Sequence, residues 1–318
     1  MACVLYVVIP CYKEEEALPE TARRLKEKMS GYLAQGRISP ASRVLFVNDG
    51  STDRTWEVIR ALHESDPLFA GVNLSRNRGH QNALLAGLVT AANDADVMVS
   101  MDADLQDDIN AMDEMLDRYA EGYEIVYGVR RKRDTDTAFK RVTAEGFYHM
   151  MQLLGVDVVF NHADYRLMSK RAVLALQEFT EVNLFLRGIV PQIGLRWTTV
   201  EYDRSARIAG ESKYPLKKML AFAADGVTSF SVKPIRLVLW TGAIVFLISI
   251  AMLLWTLITK WLGLAATGWS SLMCSIWMIG GVQLLSIGII GEYIGKVYAE
   301  TKRRPRFIIE SVLNRREE

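Results

Sequence analysis

Two carboxylates one residue apart, in Asp102-Ala103-Asp104-Leu105-Gln106, follow directly on the apolar run Val97-Met98-Val99-Ser100-Met101. A carboxylate pair at the end of a strand can hold a divalent cation, and a held cation can hold a diphosphate. The same pair would serve equally well as a cap for a helix beginning near Ile109. Two further polar clusters follow apolar runs upstream: Pro10-Cys11-Tyr12-Lys13-Glu14 after residues 4–9, and Asn48-Asp49-Gly50-Ser51 after Val44-Leu45-Phe46-Val47. Tyr12 offers a ring that can stack on a base, and Glu14 and Asp49 offer acceptors for a base or a ribose. Taken singly, each cluster is also ordinary turn chemistry. Neither Gly-x-x-x-x-Gly-Lys-Ser/Thr nor a strand-following Gly-x-Gly-x-x-Gly occurs. A bound diphosphate would therefore be held through a metal rather than through a glycine loop.

Bringing three clusters to one place is the task of the elements before them. Residues 4–9, 44–47, 70–74, 97–101 and 124–129 read as strands, and residues 14–29, 54–64 and 77–92 as helices, with Thr52 or Asp53 as a cap for the second. Alternation of this kind implies an α/β fold with a mostly parallel sheet, helices on both faces, and ligands at the carboxyl ends of the strands. The 318 residues allow one large domain or two ordinary ones, and 38 Lys plus Arg against 37 Asp plus Glu leave no global field for nucleic acid. Cys3, Cys11 and Cys274 lack metal-ligand spacing and suit a reducing compartment. His63, His80, His149 and His162 show no metal spacing either, and a structural, hydrogen-bonded role is expected for each.

The C-terminal third has another character. No charged residue occurs from Leu237 to Ile258, and a second uncharged stretch runs from Trp261 to Gly291. Each is long enough as a helix to cross a bilayer. Lys233 and Arg236 precede the first stretch, Lys296, Lys302, Arg303, Arg304 and Arg306 follow the second, and only Lys260 lies between. Two antiparallel membrane helices with both flanks in the cytoplasm are expected. The run Val4 to Ile9 is too short for a signal-peptide core, so the N-terminal part is expected in the cytosol.

VVIPCYKEEEAL, VNDGSTDRT, NRGHQNALLAGL and DADLQDD resemble the family 2 glycosyltransferases of GT-A (Rossmann-like) fold. With ADYRLMSKRA, LRG, RIAGESKYPLKKML and the two apolar stretches, the chain is similar to the polyisoprenyl-phosphate glycosyltransferases, which include bactoprenol glucosyltransferases and dolichol-phosphate mannose synthases. The resemblance implies a nucleotide site at Pro10, Tyr12, Glu14, Asp49, Asp102 and Ala103, and Mg2+ or Mn2+ at Asp102, Asp104 and Gln106. It implies donor-phosphate contacts from Arg207 and Lys213, acceptor-phosphate contacts from Arg130, Lys140 and Arg141, and a catalytic role for Asp164. A lipid monophosphate is already largely ionised at neutral pH, its second pKa being about 6, so Asp164 has little to gain as a base and an orienting role stays open.

The expected organisation is a GT-A domain over 1–213, an interfacial helix over 214–234, a membrane hairpin over 235–294 and a basic cytoplasmic tail over 295–318. A second amphipathic surface helix is expected after Lys140. The implied reaction is inverting transfer of one sugar, glucose favoured, from a nucleotide sugar, UDP favoured, to undecaprenyl phosphate at the cytoplasmic face of the inner membrane. A different lipid acceptor, or a membrane-tethered sugar-nucleotide scaffold without catalysis, is the alternative. Gly280, Gly281, Gly288 and Gly291 would permit close helix contact in a homo-oligomer.

Overall fold

The computed structural model describes residues 2–131, 162–181, 184–203, 233–262 and 268–314, which form two compact units. The first unit is an eight-stranded sheet with helices packed on it. In chain order its strands are β1 (Leu5–Cys11), β2 (Arg43–Asn48), β3 (Phe69–Leu74), β4 (Val97–Ser100), β5 (Ile125–Arg130), β6 (His162–Ser169), β7 (Trp197–Tyr202) and β8 (Ile309–Leu313). The helices of this unit are α1 (Leu18–Ala34), α2 (Thr55–Ser65), α3 (His80–Ala91), α4 (Ala111–Ala120), α5 (Lys170–Gln177) and α6 (Leu186–Gln192). The strand order is β7-β5-β6-β4-β1-β2-β3-β8. β4, β1, β2 and β3 run parallel, as do β5 and β7, while β6 runs antiparallel between β4 and β5 and β8 antiparallel along β3. The mixed α/β architecture with a mostly parallel sheet is the one expected.

β1 and β2 are buried along their whole length. Covered on both faces, they read as continuous apolar runs instead of alternating ones. Pro10 does not stop β1, which continues to Cys11 opposite Asn48. The carbonyls of Val4 and Val8 accept from Asp96 and Met101 on the β4 side, and that of Cys11 accepts from Asp49 on the β2 side. By the two-residue alternation of a strand, Pro10 faces β4, whose pairing with β1 ends at Val8 and Ser100. A missing N–H costs nothing there. On α1, Leu18, Ala22, Leu25, Met29 and Tyr32 make the buried stripe. α3 lies so close to the sheet at Gly87 that a Cβ would come within 2.4 Å of Val8 Cγ1 and 2.6 Å of Val47 Cγ2.

β6, β7 and β8 go beyond the strands expected. The region expected as a basic tail from 295 instead continues a helix to Thr301 and then supplies β8. The second unit contains α7 (Lys233–Trp261) and α8 (Trp269–Thr301). Among the described residues, one stretch, Met278–Thr301, is long and apolar enough to cross a membrane, with none of it buried; Val238–Met252 is a shorter apolar helix. Leu239, Ile244, Leu247 and Leu254 of α7 are exposed. The surface helices expected after Lys140 and from Tyr214 to Thr228 lie outside the described residues.

Candidate active site

The carboxyl ends of β1, β2 and β4 converge at one edge of the sheet. Asp49, the residue after β2, is buried; its Oδ1 accepts from the Arg78 backbone N–H at 2.7 Å and its Oδ2 from that of Gly79 at 2.9 Å. Burial pushes its carboxyl above the usual range, against the two backbone donors that favour the charged form. Gly50 has φ +59°, and a Cβ there would lie 2.4 Å from Arg76 C and from Asn77 N. Only glycine fits both the backbone and the space. At the end of β1, Lys13 takes φ +58° and donates its N–H to Ser51 Oγ at 3.1 Å, while Glu14 N donates to Thr55 Oγ1 at 3.0 Å. Tyr12, just before them, keeps 45% of its surface exposed. An exposed ring beside a fixed loop is a ready stacking platform.

The loop after β4 is held by α1 and by a bond of its own. Thr21 Oγ1 on α1 donates to the Ala103 carbonyl at 2.8 Å, and Asp104 Oδ1 accepts from the Gln106 N–H at 3.2 Å. Leu105 takes φ +53° although it is buried. A left-handed leucine costs about 1–3 kcal/mol, strain that a framework must hold in place. Neither Asp102 nor Asp104 caps α4, which has no side-chain cap; just before it Asp108 Oδ1 accepts from Asn110 N at 2.9 Å in a local turn. Both carboxylates belong to the loop at the carboxyl end of β4 rather than to the start of α4. Desolvation there, reinforced by Asp107, Asp164 and Asp104 and opposed by His80, raises the Asp102 carboxyl to about 6.

Beside this loop stands a second charged group. Alternation along β6 puts Asp164 and Arg166 on one face, and Arg166 Nη2 donates to Asp164 Oδ1 at 2.8 Å. From α6, Arg187 adds two bonds to Asp164, through Nε at 3.2 Å and Nη2 at 3.0 Å. Ser100 Oγ, at the end of β4, donates to the Asp164 carbonyl at 2.6 Å. Desolvation alone would raise Asp164, but Arg187 and then Arg166 outweigh it and hold the carboxyl well below the usual range. His80, the first residue of α3, joins the two acidic groups, with Nε2 at 3.7 Å from Asp102 Oδ1 and 3.8 Å from Asp164 Oδ2. Further along, Tyr202 OH on β7 donates to the buried Asp107 Oδ1 at 2.5 Å, and Arg130 Nη2 on β5 reaches the same oxygen at 3.4 Å.

Residues 6–176, more than half of the 318, match the family described as glycosyl transferase family 2. The chain belongs to that family. A second match, over residues 233–297, is to the GtrB C-terminal hairpin. The uncharacterized glycosyltransferase YkoT of Bacillus subtilis is 51% identical over 96% of this chain and 91% of its own length. The bactoprenol glucosyl transferase of Shigella phage SfV is 39% identical over 96% of this chain and 97% of its own. Among solved structures, mannosyl-3-phosphoglycerate synthase of Rubrobacter xylanophilus is similar at a TM-score of 0.48 and 14% identity, over 71% of this chain and 72% of that one.

Within this family 2 domain the expected nucleotide residues Pro10, Tyr12, Glu14 and Asp49 sit on the neighbouring ends of β1 and β2, and Asp102 to Gln106 on the adjoining end of β4. Asp164 borders the same loop through Ser100 and His80. Arg130 stands in the Asp107–Tyr202 group. Lys140, Arg141, Arg207 and Lys213 lie outside the described residues. The structure brings four further side chains to this edge: His80, for which a structural role was expected, and Arg187, Asp107 and Tyr202, for which no role was assigned. The signal for Arg187 was present in Leu-Arg-Gly, one of the segments carrying the family resemblance. His63, by contrast, has the structural role expected, with Nδ1 at 2.7 Å from the Phe69 carbonyl oxygen.

Proposed function

We propose that this family 2 glycosyltransferase moves one glucose from UDP-glucose to undecaprenyl phosphate at the cytoplasmic face of the membrane, inverting the anomeric centre. One observation carries the reading: a nucleoside-sized edge at Tyr12 and Asp49, a carboxylate loop at Asp102 and Asp104, and an arginine-bearing group around Asp164 lie side by side. The name of the phage relative supports glucose and bactoprenol. The match to the GtrB hairpin over residues 233–297 supports a membrane seat with two crossing helices; the catalytic domain over 1–213 would lie in the cytoplasm, with residues 214–234 as an interfacial helix.

In this reading the lipid phosphate oxygen attacks the anomeric carbon as the bond from that carbon to the nucleotide oxygen breaks. UDP leaves with the electron pair of that bond. The attacking phosphate is already ionised, its second pKa being about 6, and needs no base. A carboxylate held down by two guanidinium groups would be a poor one in any case. Asp164 instead fixes Arg187, whose side chain is 34% exposed and carries a charge suited to a phosphate. Arg130 would meet the acceptor phosphate together with Lys140 and Arg141, and Arg207 and Lys213 the donor phosphates.

The donor set suits Mg2+ or Mn2+. Asp102 and Asp104 are hard oxygen ligands, and Asp107 and Asp164 add to the negative charge around Asp102. Among the described residues no group of three or more His, Cys, Asp or Glu forms a complete metal cage. Magnesium is commonly held by one or two carboxylates with substrate phosphates completing its shell, so a protein contribution from Asp102 and Asp104, with Gln106 nearby, is sufficient. The ion would neutralise charge on the departing diphosphate. Incubating the purified full chain with labelled UDP-glucose, Mg2+ or Mn2+ and undecaprenyl phosphate tests the proposal. The expected result is a labelled, lipid-extractable product. Nucleotide binding without product from any sugar donor refutes the enzyme reading and leaves a sugar-nucleotide scaffold.

A further inference from the structure

A line of hydrogen bonds joins the C-terminal strand to the loop that carries Tyr12. Glu310 Oε2 on β8 accepts from Asn73 Nδ2 on β3 at 2.8 Å, and Asn73 Oδ1 accepts from Asn48 Nδ2 on β2 at 2.7 Å. Asn48 Oδ1 then accepts from the Ser51 N–H at 3.3 Å, and Ser51 Oγ from the Lys13 N–H at 3.1 Å. The last link fixes the left-handed residue, Lys13, that sits between Tyr12 and Glu14.

The direction of the two amide links is set by their ends, a Glu310 carboxylate that can only accept and a Ser51 N–H that can only donate. A carboxylate has no proton to give, so Asn73 must turn its NH2 toward Glu310 and its oxygen toward Asn48. Asn48 must then turn its own NH2 toward Asn73, which leaves its oxygen for Ser51. Asn48 is buried, so an amide turned the wrong way there would oppose two donors away from water. The residue before β8 also supports the facing loop through backbone: Ser75 N donates to the Ile308 carbonyl at 3.0 Å. The residues that follow Ser75 are those packed on Gly50 and bonded to Asp49.

We propose that Glu310 is a positioning residue for the donor nucleoside, setting the amide polarity of Asn73 and Asn48 and through them the conformation of the Lys13–Ser51 contact beside Tyr12. The proposal rests on the reading of Tyr12 and Asp49 as the nucleoside pocket.

The test uses the full chain with Glu310→Gln, Glu310→Ala and Glu310→Lys. Hydrogen exchange of peptides spanning residues 11–15 and 49–52 is measured beside the Kd for UDP. Gln keeps an acceptor and is expected to behave as the native residue. Ala removes the director, and loss of one hydrogen bond is expected to speed exchange and weaken UDP binding about fivefold. Lys can only donate, so it turns Asn73 and then Asn48 around and sets an NH2 group against the Ser51 N–H; its effect is expected to be the largest. Simple attraction between a lysine and a diphosphate predicts the opposite, tighter binding. Native-like exchange and binding in all three variants, or tighter UDP binding in Glu310→Lys than in Glu310→Ala, overturns the proposal. A native chain that binds no UDP refutes the donor reading instead, and the order of exchange rates then decides the relay by itself. Asn73→Ala cuts the same line at its second member and is expected to match Glu310→Ala.

Discussion

Replacing Asp164 by Asn separates two roles that a loss of activity alone would confuse. Arg166 is 1% exposed, its Nε and Nη1 make no hydrogen bond among the described residues, and Nη2 is paired with Asp164 at 2.8 Å. Asn is nearly isosteric with Asp and removes the charge, which leaves a buried guanidinium without its counter-ion. Breaking a buried pair in this way costs about 3–5 kcal/mol, and a charge pair near 4 Å at an effective dielectric of about 20 is worth about 4 kcal/mol. Arg187 is more exposed and loses less. For a domain of this size the loss corresponds to a fall in melting temperature of about 10 °C, read by thermal unfolding of the full chain in detergent. Because the folded carboxyl is depressed, its stabilisation is present above the unfolded value near 3.9 and disappears as pH falls toward the folded value. The difference between native and Asp164→Asn is therefore expected to be full at pH 7 and to close below about pH 4. Pairing Asp164→Asn with Arg166→Met is expected to recover most of the lost stability. An Asp164→Asn chain that melts within 2 °C of the native one at pH 7 ~ with activity lost ~ would refute the counter-ion account and restore Asp164 as a base.

Three further outcomes follow from the site. Asp102→Asn removes a carboxyl whose folded value is raised, a cost present above about pH 6 and absent below the unfolded value; it is expected to raise the melting temperature at pH 8, with the gain vanishing near pH 4, and to abolish stabilisation by Mg2+ with UDP. Gly50→Ala forces a Cβ to within 2.4 Å of Arg76 and Asn77 backbone atoms at φ +59°, and is expected to weaken UDP binding at least tenfold in calorimetry, since the Asp49 clamp must move. Tyr202→Phe deletes the donor to buried Asp107 Oδ1 and loosens Arg130; a rise in KM for the lipid phosphate of about fivefold, with KM for UDP-glucose unchanged, is the expected result in a steady-state assay.

The parallel half of the fold was legible because each of its strands is a short apolar run ended by a polar cluster. A doubly wound sheet brings such clusters to a common edge. β6 was not legible as a strand: HADYRLMS alternates poorly, and its buried Arg166 makes sense only once Asp164 is placed beside it. β8 was hidden by composition. RRPRF reads as the start of a solvated basic segment, and the bond from Glu310 to Asn73 spans 237 positions. In the site, the competing readings of Asp102 and Asp104 rested on local chemistry, and the capping reading falls because α4 begins after Asn110 with no side-chain cap. The neighbours of His80 were not legible because they come from the ends of β4 and β6, neither near it in the chain.

The position of β8 in the chain sets an order of assembly. β3 is an edge strand until residues 309–313 arrive, and those residues are made only after both long apolar helices. During synthesis the sheet therefore waits, one side unsatisfied, while the hairpin is dealt with, and an open edge is a template for pairing with another chain. A shortened chain ending before α7, the obvious route to a water-soluble enzyme, would keep every carboxylate of the site and still lack the strand that closes its sheet. Supplying residues 304–314 as a peptide, or grafting them after Asp203 through a flexible linker, would return that closure without the hairpin.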